Sequence, residues 1–420
     1  MTSRIALAFI GTAVPDEPAY RTTVFHRGGN NFQLQLVGGL AREGISDIEV
    51  FSARPILSYP RSSNIWIPSR REHFGEIPVR LLPFLNVTPL KQLGLGVYVL
   101  FGLARWGWRK RKIRDRVVLT YNLTVPPGLF TLLGAKVARA RAVVSVNDIN
   151  IPGETVPTSL LWRLDVKLQR WLLPRFDGHL VVSDAIADDF IPGRPYVRIE
   201  GGVDTQFLER TRRDRPPRAN SSPFVFAFAG WLNEANGVRI LLTAFDTVRR
   251  PDFRLRIAGA GPLQAIVEEA ARRNPRIEYL GMLDATAVAD MYQTADVLLN
   301  IRLTKAMNTR YFFPGKLIEY FASGVPTITT NVARVEEEFS ELAYILIDES
   351  PQGLAELLTF VASRSPAERL TISEKARAHV ANTMSWDVQA AKLASYIREV
   401  VLSNPSGRAV AASGRSPTER

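Results

Sequence analysis

The sequence contains no cysteine. Disulfides, thiolate metal ligands and a cysteine nucleophile are therefore excluded. Histidine is scarce, with four residues in 420, which leaves little room for a zinc site. No run of about 18 apolar residues occurs, so a spanning helix is not expected. The opening MTSRIALAFIG holds an apolar run too short for a secretory leader and no small-residue cleavage site behind it. It is expected to form a first strand. Acidic residues are outnumbered, 41 against 53 basic, for a formal net charge of +12. That balance either suits an anionic partner, such as a nucleotide, a nucleic acid or an anionic membrane face, or reflects an arginine-rich composition alone.

What is present is the composition of a folded protein. Hydrophobic residues make up 46% of the chain, and the length exceeds what one core usually supports, so two domains are expected. Residues 4–11 read as a strand. Gly28, Gly29, Asn30 and Asn31 read as a polar, glycine-rich turn, and residues 32–42 as a helix with Phe32, Leu36, Val37 and Leu40 on one face. Further strands are expected at 47–53, 117–121, 142–146, 178–182 and 196–199, with helices at 129–140 and 160–172 between them. Residues 207–222, FLERTRRDRPPRANSS, are charged and proline-bearing and read as a linker. A second alternation follows, with strands at 224–229, 253–258, 277–280, 297–301 and 326–330 and helices at 237–249, 263–273, 286–293 and 314–323. The fold class is α/β, each half a mostly parallel sheet covered on both faces. The tail SNPSGRAVAASGRSPTER reads as disordered.

The most informative stretch is LLNIRLTKAMNTRYFFPGKLIEYFASGVPTITT, residues 298–330. Its first strand ends at 301, and the loop that follows lies where open α/β sheets bind ligands. Pro314 suits a helix start, whose free amides attract phosphate or carboxylate. Lys316 lies in the first turn and Glu319 three residues later on the same face. Gly324 is able to end the helix in a left-handed conformation, and Pro326 prevents its restart. Charge and spacing alone fit an ordinary surface Lys/Glu pair as well as a ligand site.

Residues 224–330 resemble the donor-binding domain of glycosyltransferase family 4, which has the GT-B fold of two Rossmann-like domains facing a central cleft. FVFAFAGWLNEANGVRILLTAF resembles its first strand, glycine loop and helix, and LRIAGAGPL the next strand and glycine turn. IEYLGML, MYQTADVLLNIR and FPGKLIEYFASGVPTITT follow in the family's order, the last in the form of bacterial polysaccharide and cell-envelope members. SWDVQAAKL resembles the closing helix that crosses back to the first domain. The resemblance implies an acceptor domain over 1–206, a linker over 207–222, a nucleotide-sugar domain over 223–385, a closing helix over 386–404 and a disordered tail over 405–420. It implies transfer of a hexose or related sugar from a UDP- or GDP-sugar to a hydroxyl, with retention of configuration, no metal and no further cofactor.

By position, Glu319 matches the second glutamate of the family's pair and would accept hydrogen bonds from the ribose hydroxyls. The first glutamate falls at Tyr311, so donor-sugar recognition differs here. The arginine and lysine that clamp the diphosphate in many members are replaced near Trp231 and Asn236. Arg302 and Lys316 are the cations left to compensate the diphosphate, or else an arginine that pins the loop and a solvent-exposed lysine. Gly230 permits a close backbone approach to the donor. Gly259 and Gly261 have the same claim or merely close a turn, Asn300 holds loop backbone or faces the donor, and Asn236, Tyr311 and Leu317 are expected to line the donor site with Lys316 and Glu319.

The acceptor is expected on the first domain. The loop at Gly28, Gly29 and Asn30 either offers helix-start amides or is a packing turn. Asn147 and Asp148 follow a strand, and Asp148 either orients a sugar hydroxyl or caps a turn. His26 is a partner for the acceptor or a structural residue. Residues 93–104 form an uncharged, mainly apolar run, Trp106 and Trp108 follow, and 105–116 hold seven basic residues and one acidic. The segment 93–116 reads as an interfacial contact with an anionic membrane, or as a buried helix with a basic exposed turn. The expected partners are thus a nucleotide sugar, a saccharide or lipid-linked acceptor and the membrane surface, with no nucleic acid, in a cytoplasmic protein peripheral to the inner face of the plasma membrane. The other readings are an inverting enzyme of the same broad fold with Asp148 or His26 as general base, a non-catalytic scaffold of that fold, and a sugar-phosphate synthase, which would show basic residues in the first domain for its phosphorylated acceptor.

Overall fold

The structure, a computed structural model, describes residues 4–15, 17–20, 25–151, 156–211, 223–305, 308–332 and 335–403. The chain divides into two units. One is Met1–Glu200 together with the segment from Trp386, and the other is Gly201–Ser385.

The first unit begins with β1 (Ile5–Gly11), α1 (Arg27–Arg42) and β2 (Asp47–Ser52). Two short β-pairs follow, made from β3 (Trp66–Ile67), β4 (Arg70–Phe74), β5 (Ile77–Leu81) and β6 (Phe84–Leu85). Then come α2 (Leu90–Arg109), β7 (Asp115–Tyr121), α3 (Pro127–Val137), β8 (Arg141–Val146), α4 (Leu160–Leu172), β9 (Gly178–Val181), α5 (Asp184–Phe190) and β10 (Tyr196–Arg198). The sheet has eight strands in the order β10-β9-β8-β7-β1-β2-β5-β4. All are parallel except β4, which runs back against β5. Every residue of β1 is buried, as expected of a strand covered on both faces.

The second unit opens with α6 (Thr205–Arg210), β11 (Phe224–Ala229), α7 (Val238–Thr247), β12 (Phe253–Ala258), α8 (Gln264–Arg273), β13 (Ile277–Tyr279), α9 (Ala285–Gln293) and β14 (Val297–Asn300). It continues through α10 (Gly315–Ala322), β15 (Thr327–Thr330), α11 (Val335–Phe339), β16 (Tyr344–Leu346), α12 (Pro351–Ser363) and α13 (Pro366–Thr383). Its six strands are parallel in the order β13-β12-β11-β14-β15-β16.

The boundary between the units differs from the sequence expectation. The chain passes from one to the other at Glu200–Gly201, not at 206, and the first part of the expected linker is α6. Asp204 caps that helix by accepting from the Gln206 amide at 2.8 Å. Phe207 and Leu208 pack on the second unit's core, and the Thr211 hydroxyl donates to Ala322 O at 3.1 Å. Two apolar residues and one cap outweigh the charges around them. Residues 212–222 of the expected linker, and the tail from 404, lie outside the described residues.

The last helix, α14 (Trp386–Tyr396), belongs to the first unit. Trp386 meets Phe32 of α1 edge-on at 5.3 Å. Gly39 lets the helices approach, since a Cβ there would stand 2.5 Å from the Ala390 Cβ. Trp386, Leu393 and Ile397 are fully or nearly fully buried, and such side chains contribute about 1.5–3 kcal/mol each.

Candidate active site

In the second unit the strand order reverses between β11 and β14, the place where open α/β sheets bind ligands. These strands pair at Phe226–Val297 and Ala227–Leu298. At Ala229 the backbone is served by Tyr320 of α10, whose buried hydroxyl accepts from Ala229 N at 3.2 Å and faces Ala229 O at 3.3 Å. Burial pushes the Tyr320 hydroxyl well above the ordinary tyrosine range, which keeps it neutral in this role. The loops leaving β11 and β14 flank the reversal and touch through Leu303 N and Ala235 O at 2.9 Å.

The loop after β11 is built by glycine. A Cβ on Gly259 would stand 1.9 Å from Gly230 O, and one on Gly261 2.4 Å from Leu232 O. Both glycines take positive φ, 137° and 156°. They close the turn against residues 230–232. Asn236 is likewise spent on the loop, donating to Trp231 O at 2.7 Å. Asn300 holds the neighbouring strand through Thr329 Oγ1 at 2.9 Å, not loop backbone. Gly230 remains half-buried at the loop's start. Trp231 beside it is 58% exposed and presents a ring to whatever occupies this edge. Sequence reasoning passed over it because only a cation was sought there.

Arg302 follows β14. Thr330 pins its backbone, donating to Arg302 O at 2.7 Å and accepting from Arg302 N at 3.0 Å. Its guanidinium lies 4.9 Å from the Phe312 ring centre. Burial pushes its pKa below the ordinary arginine value, and no carboxylate pairs with it among the described residues. Lys316 is half-buried in the first turn of α10 and Glu319 is exposed one turn later. Neither is in an ion pair among the described residues, with the other or elsewhere. The simple surface-pair reading therefore lacks its bond. Leu317 is fully buried, and its amide donates to Pro314 O at 2.8 Å, so its side chain packs the helix start. The first-turn amides of Gly315 and Lys316 precede the helical ladder. Tyr311 is half-buried in the turn before α10, with Arg310 5.9 Å from its ring.

In the first unit the reversal falls between β1 and β7. Gly28, Gly29, Asn30 and Asn31 are not a turn but the first turn of α1. His26 is the cap: its Nδ1 accepts from the Gly29 amide at 3.0 Å. A capping side chain before the glycines starts the helix five residues earlier than the apolar spacing suggests. Asn30 is buried and consumed by Val14, at 2.9 and 3.0 Å. Because His26 Nδ1 accepts, the neutral ring carries its proton on Nε2 and offers a donor there.

Beside this helix start lie two residues that the sequence reading missed, Tyr121 and Asn122. A Cβ on Gly29 would stand 3.1 Å from the Tyr121 hydroxyl. Burial, then the charge of Asp148, holds that hydroxyl far above its ordinary range. Asn122, at φ 52°, donates to Asp148 Oδ2 at 2.8 Å and accepts from Asn147 N at 2.8 Å. The Asn147 side chain accepts from Ser145, which leaves Asp148 as the exposed polar group of the cluster. Their signal was positional: both stand at the carboxyl end of β7, the strand beside the reversal.

Two doubly wound α/β units with ligand edges of this kind define the GT-B fold. Residues 223–363, within the second unit, match the family described as glycosyl transferases group 1. The chain is 25% identical over 237 residues to the putative colanic acid biosynthesis glycosyltransferase WcaL of Escherichia coli K12, over 54% of this chain and 58% of that one. It is 27% identical over 157 residues to a GDP-mannose-dependent alpha-(1-6)-phosphatidylinositol dimannoside mannosyltransferase of Mycobacterium tuberculosis, over 37% and 38% of the two chains. These matches span only 58% and 38% of the curated relatives' own lengths. Among solved structures, a sucrose-phosphate synthase from Thermosynechococcus elongatus superposes with TM-score 0.64 at 16% identity, over 95% of this chain and all of that one. Anabaena HepE in complex with UDP gives 0.60 at 16% identity, over 92% and 98%.

Proposed function

We propose that the chain moves a sugar, in the hexose class, from a UDP- or GDP-sugar to a hydroxyl of a saccharide or lipid-linked acceptor, with retention of configuration and without a metal. The observation that carries this reading is the carboxyl edge between β11 and β14. It falls within the stretch that matches glycosyl transferases group 1 and brings to the sheet edge where ligands bind an arginine with no carboxylate partner among the described residues. A protein of like fold solved with UDP and a relative named for GDP-mannose support the donor class.

In this reading Arg302, Lys316 and the first-turn amides of α10 stabilise the departing diphosphate. Glu319 accepts from the ribose hydroxyls, and Tyr311 takes the place from which a glutamate would touch the donor sugar. The acceptor oxygen forms its bond to the anomeric carbon on the face that the diphosphate leaves. The acceptor proton passes to the diphosphate oxygen, so no protein nucleophile is required. Asp148, held by Asn122, orients the acceptor hydroxyl, and the helix start at Gly28 and Gly29 with His26 offers donors to it.

No helix among the described residues is long and apolar enough to cross a membrane. We assign contact with an anionic membrane surface to α2 and α3. Leu93, Phe101 and Trp108 of α2 are exposed, as are Leu129, Leu133 and Val137 of α3, and the two helices pack together. Trp106, expected at headgroup depth, is instead fully buried, because it lies on the helix face that packs inward. Of the basic run, Arg109 is bound to Glu49 and Lys110 to Asp47, while Arg105, Lys112 and Arg114 have no ion pair among the described residues. The site assigned here would act at the cytoplasmic face.

The replacement at Tyr311 favours a second reading, a non-catalytic subunit that binds nucleotide. Calorimetry with UDP-, GDP-, ADP- and dTDP-sugars, with and without EDTA, separates the two when followed by a transfer assay. Micromolar binding of one donor that survives EDTA, with transfer to a saccharide or lipid-linked acceptor, is expected. Binding without hydrolysis or transfer selects the subunit reading, and no binding refutes both.

A further inference from the structure

Outside both sites, the first unit holds a cavity of about 650 Å³ at residues 54–70. It opens where β2 ends and β4 begins. The β2 and β5 strands are parallel, and Arg70 of β4 pairs with Leu81 at the end of β5. The cavity therefore shares the carboxyl edge of the sheet with Tyr121 and Asp148. In strand order β2 is two places from β7, so it lies about 10 Å along that edge from Tyr121.

The lining is cationic. Arg54, Arg61 and Arg70 face the cavity with Tyr20, Ser63 and Trp66, and no carboxylate is among the lining residues. Arg54 is the unusual member. Its residue is only 9% exposed, one guanidinium nitrogen donates to Pro68 O, and its Nε is buried without a hydrogen-bond partner among the described residues. Burial and the neighbouring charge of Arg70 both push its pKa down. Glu72 offsets part of this charge from behind Tyr20, accepting from the Tyr20 hydroxyl at 2.6 Å. A buried guanidinium with an unused donor, next to a second guanidinium, lacks the oxygens that its planar fork fits. Trp66 is 52% exposed at the same cavity and offers a flat apolar face.

We propose that this cavity is a binding site for the oxyanion of an acidic sugar, a phosphate or a carboxylate, held by Arg54, Arg61 and Arg70 while the sugar ring lies against Trp66. The proposal rests on reading the first unit as the acceptor side of a glycosyltransferase. It then names the acceptor class: a saccharide with an anionic group about 15 Å, three strand spacings, from the hydroxyl at Asp148, which follows β8.

The test is calorimetry on the full chain at low salt with glucose 6-phosphate, glucuronate and glucose as probes. At least one anionic sugar is expected to bind ten times or more tightly than glucose, and the preferred one tells phosphate from carboxylate. Arg54→Gln, Arg61→Gln and Arg70→Gln are each expected to weaken that binding at least tenfold. Arg80→Gln, exposed on β5 and outside the cavity, is expected to leave it unchanged. If Arg54→Gln fails to fold, the two exposed arginines carry the test. Equal binding of charged and neutral sugars, or unchanged binding in both Arg61→Gln and Arg70→Gln, overturns the proposal. Nucleotide-sugar binding measured on the same preparations keeps the two failures apart. Donor binding without acidic-sugar binding sinks the cavity assignment alone. Arginine-dependent acidic-sugar binding without any donor binding leaves the cavity standing and removes the transferase reading.

Discussion

Arg302→Met is expected to move stability and ligand binding in opposite directions. In the unliganded chain the Arg302 guanidinium is partly desolvated, has no carboxylate partner among the described residues, and is compensated by the Phe312 ring at 4.9 Å. A cation–ring contact of this kind is worth about 0.5–2 kcal/mol, whereas desolvating an unpaired charge costs up to several kcal/mol. Methionine keeps most of the packing against Phe312 and removes the charge. Unliganded stability should hold or rise by about 1 kcal/mol, a shift of roughly 2–4 °C in Tm for a domain of this size. Diphosphate binding loses charge-assisted hydrogen bonds worth about 1.5–3 kcal/mol, which is roughly ten- to hundredfold in Kd. Thermal unfolding with and without the preferred nucleotide, paired with calorimetry, reads both quantities. A variant destabilised by more than about 1 kcal/mol with nucleotide affinity unchanged would refute the reasoning and make Arg302 a loop anchor.

Two further outcomes are expected. Lys316→Ala and Glu319→Ala should each lower kcat/KM for the donor more than tenfold, roughly 1.4 kcal/mol or more of transition-state stabilisation; unchanged kcat/KM in both removes the site from α10. Replacing Arg105, Lys112 and Arg114 together by glutamine should weaken binding to vesicles containing anionic lipid while leaving the ion pairs of Arg109 and Lys110 intact; equal sedimentation of variant and parent argues that the basic run is only a solvated surface.

Much of the architecture was legible because strands covered on both faces are continuous apolar runs, as FVFAFA at 224–229, and half-covered ones alternate, as FRLRIA at 253–258; both are found at the expected residues, as is the helix at Leu160–Leu172. The region from 54 to 90 was opaque, since β3 and β6 have two residues each and their pairing is set by tertiary contact. The α1 start was misread because glycine and asparagine signal a turn locally, while the deciding bond comes from His26. In the second unit the sequence pointed to the edge where the strand order reverses but not to which side chains are free there. Asn236, Asn300 and Leu317 look alike as polar or apolar neighbours of a loop, and only the hydrogen bonds at Trp231 and Thr329 and the burial of Leu317 show that they serve the scaffold. Tyr121 and Asn122 were missed because their role depends on strand order, which a single sequence does not print.

The return of α14 to the first unit has a consequence for how the protein comes to exist. Trp386, Leu393, Ile397 and Val401 sit in the same core as β1 and α1, and the Tyr396 hydroxyl donates to Pro195 O at 2.8 Å. A ribosome therefore releases a first unit whose core is still open, completes the contiguous second unit, and only then supplies the piece that closes the first. Folding during synthesis runs against chain order. The part made first waits longest, with the apolar faces of α1 and β9 uncovered, and is the part most exposed to aggregation or to chaperones. A chain stopped at Ser385 would keep its second unit and lose its first.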